Sequence, residues 1–344
     1  MKIGRIGFIL LAMVMVLTAA PLWAAESPMV IKYAHLGAPK PLESMIHAAA
    51  ISFKYIVEKR SAGRMEVKIY PSGTLGKEVD LMEAVQNNAI QINCASLGGL
   101  FRIYPPAYLP FAPYVFRNAA IAQATLDGPF GRKLMDGLTQ KTGIKGLRIL
   151  DTAGYLVLTN NVRQLKSPAD FKGIKFRGMD SLQVAMFKAL GGSAVPIAWP
   201  EVYTSLQTGV VQGQTNPTFI VDWAKFYEVQ KYLTLANTQY GYQMLICNKG
   251  WYDSLSAEDR RIIDDAAQMA QMTARGLGVV LEQIALEKLK EKGMDIYALS
   301  DQETLEFQKV ARPACLKWLK SQMDPKLVDD FMADVKAAEE KLGY

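Results

Sequence analysis

Only three cysteines and two histidines occur in 344 residues. Cys94, Cys247 and Cys315 are too few and too widely spaced for a disulfide scaffold, and their odd number leaves at least one thiol unpaired. All three fall in apolar runs, where a buried thiol behaves as a small hydrophobe. His35 and His47 stand close together near the N-terminus, and no HExxH, CxxC, GxSxG or Walker pattern occurs. The usual parts of hydrolytic, zinc and nucleotide chemistry are therefore missing, and no catalytic, metal or cofactor site is expected. The net charge is +6, but it gathers into no dense Lys/Arg run and no aromatic-interleaved basic stripe. Nucleic acid is an unexpected partner on that ground.

What is present is a globular composition: 50% hydrophobic, 21% charged and 10% aromatic residues, which excludes a disordered or collagen-like chain. The length suggests two domains. Lys2 and Arg5 precede an apolar run from Ile6 to Leu17, and small residues lead to Ala24 and Ala25. This is the pattern of a secretory signal peptide over residues 1–25, with cleavage after Ala24 or Ala25. Its apolar core is shorter than the ~20 residues a membrane span requires, and no later segment is a span candidate. The mature chain is expected to be exported without stable membrane insertion.

Strand and helix patterns then alternate. Val30–His35, Met65–Tyr70, Ile90–Ala95 and Gly146–Leu150 read as strands; Leu42–Arg60, Lys77–Asn88 and Ala119–Lys141 read as helices. The alternation restarts with strands over Tyr155–Thr159, Gly173–Arg177, Ala194–Ile197, Val210–Thr215 and Tyr242–Asn248, and helices over Ser181–Leu190 and Glu201–Thr208. Such a pattern argues for an α/β layer structure with mainly parallel sheets. Ser256–Lys292 reads as one helix, opened by a Ser cap with acidic residues in its first turn. At 1.5 Å per residue it would run about 50 Å, longer than one domain needs, and it is expected to lie against both lobes.

The stretch Ser167–Pro217 contains SPADFKGIKFR, ALGGSAVP, EVYTSLQTG and VQGQTNP in that order. It resembles the solute-binding proteins of tripartite ATP-independent periplasmic (TRAP) transporters of the DctP type. The likeness extends through KFYEVQKY at Lys225–Tyr232 and upstream through YPSGTLGKEVDLMEAV and LPFAPYVF, so it covers essentially the whole mature chain. The resemblance implies a two-lobe periplasmic binding protein fold, hinged around a cleft, with a long helix spanning both lobes. It places residues 26–153 and 243–282 in the first lobe, and 154–242 and 283–344 in the second. It implies a periplasmic protein that captures a small organic acid, performs no chemical step, and delivers its ligand to a TRAP membrane permease.

Carried over residue by residue, the resemblance makes Arg177, in KGIKFR, the clamp on a ligand carboxylate. A guanidinium can donate two parallel hydrogen bonds to a planar carboxylate. Asn216, in QTNP, matches an amide contact from the opposite wall, and Trp199 an aromatic against the ligand. Ser96 and His35 come from strand ends of the first lobe, where parallel sheets place ligands; Tyr155 and Tyr240 are further candidates. Glu201 and Tyr203 read as supports for the helix behind the Trp199 wall, and Glu78 as a solvated helix start. One departure stands out. Many relatives carry a second arginine twenty residues before the clamp, and Val157 stands there in this chain. That argues against a ligand needing two cations and for a smaller or more apolar acid, with an aromatic or aliphatic tail.

Two other readings compete. A secreted enzyme could use an α/β scaffold, since fold alone never fixes function, but no nucleophile–His–carboxylate set is legible. An exported ligand-sensing subunit for a receptor would share every feature above except the permease.

Overall fold

The computed structural model describes residues 27–344. The expected signal peptide lies outside the described residues. The first lobe is built on a five-stranded sheet of β1 (Met29–Ala34), β2 (Met65–Tyr70), β3 (Ile92–Ala95), β4 (Ile144–Tyr155) and β10 (Tyr240–Asn248), in the order β2-β1-β3-β10-β4. The second lobe has six strands: β5 (Val157–Asn160), β6 (Lys175–Gly178), β7 (Ser193–Pro196), β8 (Gly213–Asn216), β9 (Tyr232–Leu235) and β11 (Asp295–Ala298), in the order β11-β9-β5-β8-β6-β7.

Both sheets are mixed, which corrects the expectation of mainly parallel sheets. The βα units give parallel pairs, β1 with β2 and β3, and β6 with β7 and β8. The strands next to the lobe boundary run the other way: β10 is antiparallel to β3 and β4, and β5 is antiparallel to β8 and β9. The reason lies in the crossings. β4 passes through Leu156 straight into β5, and β9 returns through Ala236–Gln239 into β10, so neither needs a crossover helix to reverse its sense. The two crossing segments are tied together where they pass, Leu156 N–H donating to Gln239 O (2.9 Å) and Thr238 N–H to Leu156 O (3.1 Å).

The helices are α1 (Met45–Arg60), α2 (Glu78–Gln86), α3 (Leu97–Ile103), α4 (Ala119–Asp127), α5 (Pro129–Thr142), α6 (Ser181–Ala189), α7 (Val202–Gln207), α8 (Thr218–Trp223), α9 (Lys249–Ser254), α10 (Ala257–Glu291), α11 (Asp301–Gln322) and α12 (Pro325–Lys341). The single helix expected over 119–141 is two, because Gly128 breaks it and Pro129 starts the next at its first position. The long helix is α10, with Ser256 Oγ accepting from Asp259 N–H (3.0 Å) at its N-cap. Its small residues Ala266, Ala267, Ala270 and Ala274 pack into the first lobe's core, while Leu289 near its end belongs to the second lobe's core. It touches α1, β4 and α8 and so braces both lobes.

The two C-terminal helices pack on different parts of the molecule. α11 packs on α6, but α12 covers α4 and α5, where Phe331 meets Phe130 and Phe116 (ring centroids 4.7 and 5.9 Å). All three cysteines are buried and unpaired. No helix among the described residues is long and apolar enough to cross a membrane.

Within the first lobe's core, β1 ends at a buried imidazole pair. His35, fully buried, is hydrogen-bonded through its Nε2 to His47 Nδ1 at 3.0 Å, while its own Nδ1 has no partner. Burial, reinforced by His47, pushes the His35 pKa down to about 3. His35 is therefore neutral in the folded protein at pH 4–7, whereas the unfolded chain takes up its proton near pH 6.5. Between those values the unfolded state binds one more proton, so stability rises with pH through the window and levels off above it.

Two predictions follow from this packing. Gly213 lies in β8 where an added Cβ would sit 2.6 Å from the Phe176 ring and 2.7 Å from Thr159 O. Gly213→Ala should cost about 1–3 kcal/mol by overpacking, seen as a lower thermal midpoint; an unchanged midpoint would refute the close packing of β8 on β6. For the imidazole, wild type should lose about 3–5 kcal/mol more than His35→Gln between pH 7 and pH 3.5. Denaturant titrations at both pH values measure the difference, and parallel pH curves would contradict a buried neutral His35.

Candidate functional site

The exits of β1, β3, β6 and β8, together with the start of β10, converge on one cavity of about 170 Å³. It is lined from the first lobe by Leu36, Gly37, Ser96 and Gln243, and from the second by Arg177, Met179 and Asn216. Ligand sites of α/β sheets fall at such strand ends.

Arg177 occupies the third position of β6 and is only 3% exposed. Its Nε donates to Ile197 O at 3.0 Å, which fixes the plane of the guanidinium against the chain leading to Trp199. Among the described residues its two terminal nitrogens make no hydrogen bond or ion pair. Burial lowers its pKa to about 10, with Asp180 and Glu78 pulling the other way. One oxygen of Asp180 caps α6, Oδ1 accepting from Leu182 N–H (2.7 Å) and Gln183 N–H (3.0 Å), while Oδ2 is buried without a hydrogen-bond partner. Burial outweighs those bonds and lifts its pKa to about 6, so near neutrality it is largely ionised and offsets part of the Arg177 charge without bonding to it. Arg177 is the one Lys or Arg among the described residues lining the cavity. The result is a buried, oriented cation whose two-pronged end has no protein acceptor, the arrangement that suits a carboxylate.

Asn216 closes β8. Its Nδ2 donates to Gln214 Oε1, leaving Oδ1 as an acceptor on the cavity side of Pro217. Trp199 opens a short 3₁₀ turn and lies parallel to Trp223 of α8, with centroids 5.9 Å apart and planes at 8°. Both indoles line the cavity. Ser96 also lines it, and its Oγ is buried without a hydrogen-bond partner. Arg177, Asn216, Trp199 and Ser96 are thus brought together.

The other three expected residues are not in this cavity. His35 sits directly behind Leu36, fully enclosed and turned to His47. Tyr155 and Tyr240 face each other (centroids 5.3 Å) in a separate cavity of about 570 Å³, where α10 supplies Arg275 and Glu282. Tyr155 donates to Phe116 O at 3.1 Å. In a regular strand Tyr240 and Tyr242 would share a face. The pairing of β10 with β4 slips between them, and Tyr242 lines the cleft while Tyr240 lines the second cavity. Val157 is buried in the second lobe's apolar core and does not line the cleft, so the lone cation rather than Val157 itself defines the site's charge.

Several lining residues escaped the sequence reading. Glu78, expected in solvent, lines the cavity at the start of α2, because the turn through Gly73 and Gly76, both at positive φ, brings that helix end over the cleft. Trp223 and Phe219 line it from α8, and their signal was the Asn216–Pro217 step that starts this helix beside the site. Gln243 stands in an unbroken apolar strand, its Oε1 accepting from the Cys94 thiol at 3.0 Å.

Comparison with known proteins agrees with this architecture. Residues 36–322 match the family model for the bacterial extracellular solute-binding proteins of family 7, DctP. The chain is 31% identical over 318 residues to the C4-dicarboxylate-binding periplasmic protein DctP of Rhodobacter capsulatus, covering 92% of each chain. Among solved structures it is similar to the sugar acid binding protein DctPAm of Advenella mimigardefordensis in complex with galactonate (31% identity, TM-score 0.84, covering 91% of this chain and 99% of that one). It is also similar to a TRAP periplasmic solute-binding protein of Shewanella oneidensis with bound succinate (26% identity, TM-score 0.82, covering 90% and 99%). A match spanning both lobes and the cleft between them assigns the family: this chain belongs to the bacterial extracellular solute-binding proteins of family 7, the solute-binding subunits of TRAP transporters.

Proposed function

We propose that the cleft captures a small organic acid by its carboxylate and that the protein, working in the periplasm, presents it to a TRAP membrane permease. The observation that carries the reading is the Arg177 guanidinium, buried and oriented through Nε with both terminal nitrogens lacking a protein acceptor. A carboxylate completes it with two parallel charge-assisted bonds, and Asn216 and Ser96 stand ready for a neighbouring hydroxyl or oxo group. The relatives support the same class, being described with C4-dicarboxylates, galactonate and succinate. Binding without chemistry fits the family, and the cleft offers no paired nucleophile and base. His35, the nearest imidazole, is sealed behind the wall.

The test begins with a thermal-shift screen of organic acids, since a ligand at 100 times its Kd adds ~2.7 kcal/mol of stability. Calorimetry on the best binder then measures Arg177→Ala. Removing one partner of a buried charge pair costs ~3–5 kcal/mol, so binding should weaken by about two to four decades. Arg177→Lys should recover little of it, because a point charge cannot reproduce the fork. With circular dichroism showing a folded variant, Arg177→Ala binding within threefold of wild type would sink the clamp.

A further inference from the structure

We infer that the acid this cleft selects is a monocarboxylate with a flat, apolar aryl body, seated against the Trp199–Trp223 pair, and that Glu78 excludes a second carboxylate. The inference rests on the carboxylate reading above and specifies the rest of the ligand.

Charge comes first. Against the single cation Arg177, the cavity is lined by Glu78 and by Glu43, the latter half-exposed and paired with Lys40 at 2.8 Å. Once a ligand carboxylate has taken Arg177, a second one would meet no further lysine or arginine lining the cavity and would approach the Glu78 carboxylate instead. Like charges repel, and such negative elements set specificity as attractive ones do.

Polarity comes second. A polyhydroxylated acid needs a partner for each hydroxyl it buries, because an unpaired buried polar group is costly. Ser44 Oγ accepts from His47 N–H at the N-cap of α1, Asn216 Nδ2 is bound to Gln214, and Gln243 Oε1 takes the Cys94 thiol. What remains beyond the clamp is the Ser96 and Ser44 hydroxyls, Asn216 Oδ1, the Gln243 amide nitrogen, the two indole N–H groups and the Glu78 carboxylate, set in walls that are mostly apolar.

Shape comes third. Apart from those groups the walls are Phe111, Leu97, Met179, Phe219, Ile220 and the two indoles. Trp199 also packs at a tilt against Phe226 (centroids 5.9 Å, planes at 56°), which supports the indole pair from behind. Flat groups stack on such a face in offset or edge-on geometry. The cavity, about 170 Å³, is below the ~300–1,000 Å³ typical of sites for drug-sized ligands, and one ring with a short acid arm suits it.

Calorimetry on the wild-type protein with phenylacetate, 3-phenylpropionate, succinate and galactonate tests this directly. At least one phenyl acid should bind tenfold or more tightly than succinate and galactonate, and should change the tryptophan fluorescence on saturation. Trp223→Ala should shrink the phenyl-acid-to-succinate affinity ratio at least fivefold, and Glu78→Gln should raise succinate affinity severalfold. If succinate or galactonate binds as tightly as the phenyl acids, and Arg177→Ala abolishes that binding, the aryl inference is wrong while the carboxylate clamp stands. If none of the four binds but other monocarboxylates do through Arg177, the aryl body is equally refuted. If no organic acid binds at all, both readings fall together.

Discussion

A guanidinium buried without an acceptor for its two outer nitrogens is the constraint around which this cleft is organised. Taking a charge out of water costs roughly several kcal/mol even after the protein relaxes, and Arg177 recovers little of that locally. One hydrogen bond to Ile197 O holds it, and Asp180, whose Oδ1 caps α6, offsets part of its charge without bonding to it. The rest of the second lobe keeps the arginine in place. β6 is held between β7 and β8, and Phe176, the residue before Arg177, is stacked on Phe187 at 4.4 Å with nearly parallel planes. Gly213 on β8 leaves room for that ring and nothing more. Rigidity of this kind means that a ligand anion finds the fork already aimed, so less ordering entropy is lost on binding.

The second organising feature is how the lobes join. Two strand crossings, tied by backbone hydrogen bonds around Leu156, and one helix of 35 residues connect them. At the lobe boundary Glu282 of α10 accepts from the first backbone N–H groups of α8, Thr218 at 3.2 Å and Phe219 at 3.3 Å. That contact sets the start of α8, the helix carrying Phe219 and Trp223 into the cleft. The position of the indole wall therefore depends on a helix rooted in the other lobe's core, which links the geometry of the site to the relation between the lobes.

Much of this was legible in the chain. The 3.6-residue pattern and Ser256 cap point to α10, and the resemblance to DctP-type proteins over KGIKFR and QTNP points to Arg177 and Asn216, which the structure brings to one cleft. Other parts were not. A register slip between Tyr240 and Tyr242 leaves no mark in hydrophobicity, so the sequence does not show that Tyr242 lines the cleft while Tyr240 lines the second cavity. Strand direction is equally silent: a strand arriving from the other lobe has the same alternation as one returning through a helix, and the sheets were read as more parallel than they are. Glu78 looked like any acidic residue in a helix's first turn, because only the tertiary path through Gly73 and Gly76 swings it over the cleft. His35 shows the opposite limit, where a strand-end position suggested contact but the side chain turned inward to His47.

The central claim is that Arg177 recognises a negative charge and not merely a polar planar group. The most direct measurement compares, by calorimetry on the wild-type protein, the best-binding acid with its own primary amide, which keeps the shape and removes the charge. The account predicts that the amide binds at least about a hundredfold more weakly, as expected when a buried charge-assisted pair is replaced by one neutral contact. An amide that binds within a few fold of the acid would contradict it.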